Sequence, residues 1–200
     1  MRNAFITVSL FLIAAVSLHA AEKKIFIINS YDESYEWSSK LVNAAKSVAE
    51  GKATLKTAYM DSKRNHSEED KKKAALAIKK QIDAWSPDAI IAADDNASKY
   101  VIVPYYKNTS VPVVFCGINW DAIEYGFPCP NVTGMLEVSL VDQCVAGLAR
   151  FTKGRRIGHI GADNETARKE GKYIAKTLGM EIKEAYPATF AEFKKQFTEM

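Results

Sequence analysis

The sequence predicts an α/β protein built around a parallel β-sheet. Two observations carry this prediction: short apolar runs rich in Ile, Val and Phe recur along the chain, and segments with helical spacing lie between them. Continuous apolar runs are typical of strands that are buried on both faces, as in parallel sheets covered by helices. Strands that alternate with helices require crossover connections, which are almost always right-handed.

The first part of the chain predicts four strands with helices between them. The predicted strands are "KKIFIINS", "ATLKTAYM", "DAIIAAD" and "VPVVFCGIN". Helices are predicted in "SYEWSSKLVNAAKSVAEG", which stops at Gly51, in "SEEDKKKAALAIKKQIDAW", and near residues 96–103. Ser67 is the predicted N-cap of the second helix, because its hydroxyl can accept a hydrogen bond from a free backbone N–H. "NVTGMLEV" predicts a short fifth strand.

From Ser139 the alternation starts again. It predicts a helix to about Phe151, a strand in "RRIGHIGA", a helix over about residues 164–178, a strand in "MEIKEAY" and a helix from near Thr189. We therefore expect a first α/β lobe over residues 21–137 and an incomplete second lobe over residues 138–200. A lobe with two strands leaves its sheet edge exposed, so we expect the N-terminal portion of a longer polypeptide. The alternative is a short protein whose last helices cover the first sheet.

The N-terminus has the pattern of a secretory signal peptide over residues 1–20. Arg2 precedes an apolar stretch that ends near Leu18, and small residues follow at Ala20 and Ala21. The apolar stretch is shorter than the ~20 residues that a membrane-spanning helix needs. We expect cleavage after Ala20 and a periplasmic or otherwise extracytoplasmic protein.

Composition favours a globular domain and argues against nucleic acid as a partner. The chain is 48% hydrophobic and 26% charged, which are ordinary values for a folded domain. A formal net charge of +3 is too small for the basic surface that nucleic-acid binding requires. Cys129 and Cys144 could form a disulfide in an exported protein, or all three cysteines, Cys116 included, could stay reduced.

Polar side chains follow each of the first four predicted strands. In an open parallel sheet, ligands bind outside the carboxyl ends of the strands, where loops diverge and helix N-termini offer free N–H groups. Four loops contribute polar groups to this one rim, which is stronger evidence for a binding site than polar groups in a single loop. The candidate ligand-binding residues are Ser30, Tyr31, Asp61, Asp94, Asp95, Asn96, Gly117, Asn119 and Trp120.

The stretch "DDNA" after the third strand has three interpretations. Asp94 with Asp61 could imitate a phosphoacceptor or metal pocket, but a phosphoacceptor needs cytoplasmic phosphodonors, which conflicts with export. Asp95 or Asn96 could be the N-cap of the following helix, since both residue types are strongly preferred there. The third interpretation is a set of ligand contacts, and one of these residues could serve both roles.

Aromatic residues favour recognition of a small molecule, and no catalytic set is evident. Tyr31, Tyr35, Trp37 and Trp120 lie in or beside the rim loops, where an aromatic face and a few directed polar groups make a ligand pocket. Core packing is the alternative for each of them. The sequence contains no Gly-x-Ser-x-Gly elbow and no Gly-rich phosphate loop. We therefore predict no catalytic residue, no metal and no cofactor, and an α/β hydrolase-like enzyme is a weaker hypothesis than a binding protein.

Four motifs together resemble a known family. "IFIINSY", "AYMDSKR", "IIAADDNASKYVIVPYYKNTSVPVVFCGIN" and "NVTGMLE" are similar to the ABC-transporter substrate-binding proteins of the tryptophan/tyrosine-type group. The similarity spans most of residues 24–165. It implies the type I periplasmic-binding-protein fold, with a Rossmann-like first lobe and a ligand held between two lobes.

The resemblance implies a solute-binding protein that captures a small organic ligand for uptake, and an amino acid is one candidate. Its partners would be the ligand and an ABC-transporter permease, so contact with the membrane would occur only through the permease. The alternative is an extracytoplasmic sensor domain of a membrane signalling protein, because the same module is similar to such regions. Asp32 and Glu33 could favour a cationic ligand, or they could simply complement the N-terminus of the following helix.

Overall fold

Two parallel β-sheets and the helices around them make up the part of the chain that the structure describes. The computed structural model describes residues 22–154 and 156–200. The predicted signal peptide over residues 1–20 lies outside the described residues. One sheet has five strands in the order β2-β1-β3-β4-β5, and the other pairs β6 with β7. All strand pairs within these sheets are parallel, which confirms the predicted α/β class.

The five-stranded sheet contains the predicted strands of the first lobe. Its strands are β1 (Lys23–Asn29), β2 (Ala53–Tyr59), β3 (Ala89–Ala93), β4 (Val113–Asn119) and β5 (Val132–Glu137). The central strands are apolar on both faces because helices cover both sides: Phe26 and Ile27 on β1 and Ile90 on β3 are each 0% exposed. Strand β3 lies between β1 and β4, so the loops after these three strands meet at one edge.

The first two helices begin largely where the sequence predicts. Helix α1 spans Glu36–Ala49, and α2 spans Glu68–Trp85. The N-cap prediction for Ser67 is confirmed, since its hydroxyl accepts a 3.1 Å hydrogen bond from the N–H of Asp70. Ile78 and Ile82 of α2 join the core against the sheet.

The third predicted helix differs in length and type. A short helix α3 (Asp94–Ala97) runs directly into a π-helix over Ser98–Tyr106, in place of one helix near residues 96–103. Pro104 lies inside this segment and has no N–H to donate. The N–H of Lys107 bonds the carbonyl of Ile102, five residues earlier, at 2.8 Å. Wider turns of this kind replace the regular α-helix that the apolar spacing predicts.

The second unit is smaller. Its elements are α4 (Val141–Leu148), β6 (Gly158–Ile160), α5 (Glu165–Leu178), β7 (Lys183–Ala185) and α6 (Phe190–Glu199). Side-chain caps fix the start of α5 and α6: Asn164 accepts from Ala167 N at 2.9 Å, and Thr189 accepts from Glu192 N at 3.2 Å. Below, the first unit means residues 22–137 and the second unit means residues 138–200.

Two further observations concern export and redox chemistry. Within the described residues, no helix is both long and apolar enough to cross a membrane. The three cysteines, Cys116, Cys129 and Cys144, all lie within the described residues and are free. The structure therefore supports the reduced alternative and not a bridge between Cys129 and Cys144.

Candidate functional site

Two consecutive aspartates follow β3, and one contacts the loop after β1 while the other contacts the end of β4. Asp94 has φ of 77°, a left-handed conformation that turns the chain sharply as the strand ends. Its carboxylate accepts a hydrogen bond from the hydroxyl of Tyr31, which follows β1. The carboxylate of Asp95 instead accepts from Asn119, at the end of β4. The two acids therefore tie together the three loops at the carboxyl edge of the sheet.

Asp94 is the buried member of the pair. It is 6% exposed, and besides Tyr31 it accepts a hydrogen bond from the N–H of Asn96 at 3.3 Å. Burial raises the pKa of the Asp94 carboxyl to about 6, against the opposing effect of the Tyr31 hydrogen bond, and the nearby charge of Asp95 raises it further. Burial and the Asp94 carboxylate also raise the pKa of Tyr31, so this phenol stays a hydrogen-bond donor.

Asp95 is surrounded by donors from three separate elements. Its Oδ2 accepts from the backbone N–H of Asn119 at 3.1 Å and from the Asn119 side-chain amide at 2.7 Å. Its Oδ1 accepts from the Tyr125 hydroxyl at 2.7 Å and from the Lys169 ammonium at 3.3 Å. Tyr125 ends a 3₁₀ helix over Ile123–Tyr125, and Lys169 belongs to α5. Asp95 therefore links the first unit to the second.

The cap prediction for Asp95 and Asn96 is wrong. Helix α3 begins at Asp94, so both residues lie inside it, and its N-cap position, Ala93, carries no side-chain acceptor. The acceptor comes from the residue after β1, where the Ser30 hydroxyl accepts from Ala97 N at 2.9 Å and donates to the Ala93 carbonyl at 2.8 Å. A tertiary contact thus replaces the local cap. Asn96 is left to donate from its amide to the hydroxyl of Ser62 at 3.1 Å.

A cavity of about 440 Å³ opens where these groups meet. Its lining from the second unit consists of Asn164, Thr166 and Lys169. The predicted residues that line it, all from the first unit, are Tyr31, Asp94, Asp95, Asn96 and Asn119. A larger cavity of about 680 Å³ lies beside it and shares Glu124, Asn164 and Lys169, but none of the predicted residues lines it. We therefore place the candidate site in the smaller cavity.

Four of the predicted residues do not line this cavity: Ser30, Asp61, Gly117 and Trp120. Ser30 is fully buried, and its hydroxyl bonds the end of β3 and α3. Asp61 pairs with the guanidinium of Arg64 at 2.9 Å. Gly117 has φ of +75°, and a Cβ there would lie 2.7 Å from the Trp37 ring. Trp120 is 6% exposed and stacks on Tyr173 of α5, with ring centres 4.1 Å apart.

Sequence reasoning missed several lining residues. Tyr125 and Glu124 lie in the loop after β4, and Ser62, Lys63 and His66 lie in the loop after β2. Asn164 of the second unit could have been found, because it lies in the loop at the carboxyl end of β6. Thr166 and Lys169 lie inside α5. Their meeting with the first rim depends on how the two units pack.

The described residues contain no arrangement typical of a metal site or an activated nucleophile. No group of three or more His, Cys, Asp or Glu side chains in this part of the chain is placed to hold a metal ion. Burial raises the pKa of the Cys116 thiol to about 11, with help from the Asp94 and Glu137 charges, so the thiolate is disfavoured. The polar groups of the cavity can therefore donate and accept hydrogen bonds and bind charge.

Comparison with solved structures identifies the fold. CD0873, a substrate-binding protein with adhesive properties from Clostridium difficile, matches in its ligand-free, open form with a TM-score of 0.62 and 15% identity, over 88% of this chain and 61% of that chain. The ABC domain from Streptococcus pneumonia in complex with L-Trp matches with a TM-score of 0.57 and 18% identity, over 86% of this chain and 59% of that one. This is the type I periplasmic-binding-protein fold.

A third match has the same type I fold. It is a solute-binding protein of an ABC transporter from Rhodopseudomonas palustris BisB5 in complex with 3,4-dihydroxybenzoic acid, with a TM-score of 0.58 and 15% identity, over 89% of this chain and 52% of that chain. This chain thus spans between 52% and 61% of the length of these three proteins. No protein-family model and no curated protein matches it. Identities this low establish the shared fold alone, because function depends on the residues of each site.

Replacing Asp94 with Asn should remove a pH dependence of stability. The folded-state pKa of Asp94, about 6, lies above the unfolded value, so the folded protein holds this proton more tightly. Its contribution to the free energy of unfolding is greatest near pH 4 and declines as pH rises to about 6. In Asp94→Asn this decline, roughly 2–3 kcal/mol, should be absent. Urea unfolding at several pH values from 4 to 7 measures it.

Asp88→Asn is the matched control for this experiment. Hydrogen bonds from the Lys24 N–H and the Lys23 ammonium lower the pKa of Asp88, so its stabilisation is lost only as pH falls below its ordinary value. Between pH 4 and 7 this variant should keep the wild-type slope. An Asp94→Asn variant with the wild-type slope would contradict a raised pKa at Asp94.

Ser30→Ala should destabilise the protein because it removes the acceptor for Ala97 N and the donor to the Ala93 carbonyl. The Ala97 N–H is buried and loses its acceptor, which costs about 1–3 kcal/mol, whereas the Ala93 carbonyl keeps its 3.2 Å hydrogen bond from the Ser30 N–H. Denaturant unfolding measures this loss. Ser47→Ala, at an exposed position in the last turn of α1, should change stability by less than about 0.5 kcal/mol. Equal stability of the two variants would show that Ser30 does not hold the start of α3.

Proposed function

We propose that this protein is an extracytoplasmic solute-binding protein that captures a small organic ligand of the amino-acid class between its two units. The observation that carries the proposal is the cavity of about 440 Å³, because its polar lining comes from both units. Its size falls within the range of small-molecule sites, and such sites commonly lie between domains. The ligand would pass to an ABC-transporter permease in the membrane.

The chemistry of the lining suits a ligand with charged and polar groups. Asp94 and Asp95 supply carboxylates, Asn96 and Asn119 supply amides, and Tyr31 supplies an aromatic face beside them. The type I fold and the bound small molecules of two of the matched proteins, L-Trp and 3,4-dihydroxybenzoic acid, support the proposal. They do not transfer a ligand to this chain, because the identities are 18% and 15%.

Ligand capture would follow from the way the cavity is built. A ligand that contacts both units is bound more tightly when the units are together than when they are apart, so it shifts the protein toward the closed arrangement. The closed form would then be recognised by the permease. No bond is made or broken in this mechanism.

A thermal-shift screen of amino acids and related metabolites against the purified protein tests this function directly. We expect at least one of these compounds to raise the melting temperature, and titration calorimetry then gives its affinity. If no compound in the screen shifts the melting temperature or binds in calorimetry, the proposal for an amino-acid-like solute is wrong.

Asn96→Ala should weaken binding of the compound found in that screen. The amide of Asn96 lies in the cavity lining, and one neutral hydrogen bond is worth about 1 kcal/mol, or about fivefold in affinity. Asn43→Ala, on the exposed face of α1, is the control and should bind as the wild type does. Calorimetry measures the affinities, and melting curves show whether each variant is folded. Equal affinities for the two variants would place the ligand elsewhere.

A further inference from the structure

The ammonium group of Lys169 is enclosed by groups that recognise a primary amine. Its Nζ lies 3.3 Å from Asp95 Oδ1, contacts the carboxylate of Glu124, and lies 3.5 Å from the carbonyl oxygen of Asp121. The same nitrogen lies 5.4 Å from the centre of the Tyr125 ring. Two carboxylates, a carbonyl and an aromatic ring satisfy the three N–H donors and the charge of an ammonium ion.

These recognition groups belong to the first unit, and Asp95 and Tyr125 do not depend on Lys169 for their positions. Asp95 is held by three hydrogen bonds from Asn119 and Tyr125, and Glu124 lies in the same 3₁₀ helix as Tyr125. Lys169 comes from α5 of the second unit, 74 residues along the chain from Asp95. Asp95 and Tyr125 would therefore stay in place if Lys169 left, with Glu124 beside them on the same 3₁₀ helix.

Charge decides which ligand group could enter this position. Burial opposes the charge of Lys169, but hydrogen bonds from its ammonium to Glu124 and Asp95 and their charges raise its pKa overall. The ammonium is thus balanced by two carboxylates within the protein. An anionic ligand group brought here would meet both carboxylates and gain little from Lys169, whereas a second cation could replace Lys169 without a change in charge.

We propose that Asp95, Glu124 and Tyr125 form a primary-ammonium subsite of the cavity, which Lys169 occupies as a tethered substitute for the ammonium group of the ligand. This inference rests on the proposed function, and it narrows the ligand to compounds that carry an amine. Lys169 is then a residue that sets specificity and affinity, because a ligand must displace it.

Chemical rescue of Lys169→Ala tests the subsite without knowledge of the ligand. The substitution removes the atoms of a propylammonium ion, so added propylammonium should occupy the gap and raise the melting temperature. At about five times its dissociation constant the shift should be about 2–4 °C. Neutral n-propanol should give no such shift, and neither should propylammonium with Lys172→Ala, whose side chain is exposed on the same helix.

Two results of the rescue experiment would overturn the subsite. If propylammonium shifts Lys169→Ala no more than it shifts Lys172→Ala, these groups do not form an ammonium site. Should Lys169→Ala lack a cooperative melt, it is refolded with propylammonium or with n-propanol. Recovery of the melt with the amine alone supports the subsite, and failure to recover with either compound overturns it.

Paired ligands test the displacement of Lys169. L-tryptophan and indole-3-propionate, and other amino acids with their deaminated acids, are compared on the wild type and on Lys169→Met. We expect each binding compound to carry an amine, its deaminated partner to bind at least tenfold more weakly, and Lys169→Met to bind the amine several-fold more tightly. Weaker binding of the amine by Lys169→Met would show that Lys169 contacts the ligand itself, which overturns the displacement.

The ligand comparison and the rescue of Lys169→Ala separate the two proposals. A ligand that binds equally well without its amine leaves the solute-binding function standing and overturns the ammonium subsite. A screen with no binding compound counts against the function, while the rescue of Lys169→Ala still decides whether Asp95, Glu124 and Tyr125 bind an ammonium ion.

Discussion

The arrangement at the site depends on the sharp turn at the end of β3. Because β3 lies between β1 and β4, a chain that leaves it can reach the loops on both sides. The left-handed conformation of Asp94 directs two consecutive carboxylates to different neighbours, Tyr31 on one side and Asn119 on the other. A non-glycine residue is rarely found with this conformation. Its cost is offset by the hydrogen bonds that both aspartates make.

Two adjacent carboxylates repel each other, and the structure relieves this in different ways at each one. Asp94 is buried, and its raised pKa favours the protonated form at mildly acidic pH. Asp95 collects donors from Asn119 and Tyr125 and the positive charge of Lys169. Adjacent residues in sequence thus have separate roles: Asp94 joins loops within the first unit, while Asp95 carries charge into the cavity.

Local patterns predicted the sheet and its rim, and tertiary contacts decided the rest. Continuous apolar runs identify β1, β3 and β4, and the rule for parallel sheets then places Asp94, Asp95 and Asn119 at one edge. The cap prediction failed because the acceptor for Ala97 N is Ser30, 67 residues earlier in the chain. Pattern alone could not reveal that Trp120 stacks on Tyr173, or that Lys169 reaches Asp95, since both contacts depend on the packing of the second unit.

The contacts between the two units differ in whether a charged ligand can replace them. Trp120 stacks on Tyr173, and a polar ligand cannot replace this aromatic contact. Lys169 forms an ionic contact with Asp95 and Glu124, which a cationic group can replace. A ligand shifts the balance between open and closed forms only through its difference in affinity for them. A ligand that merely added a cation beside Lys169 would be repelled. One that takes its place keeps the charge balance, frees α5 from that contact, and can form new contacts with Asn164 and Thr166 of the second unit.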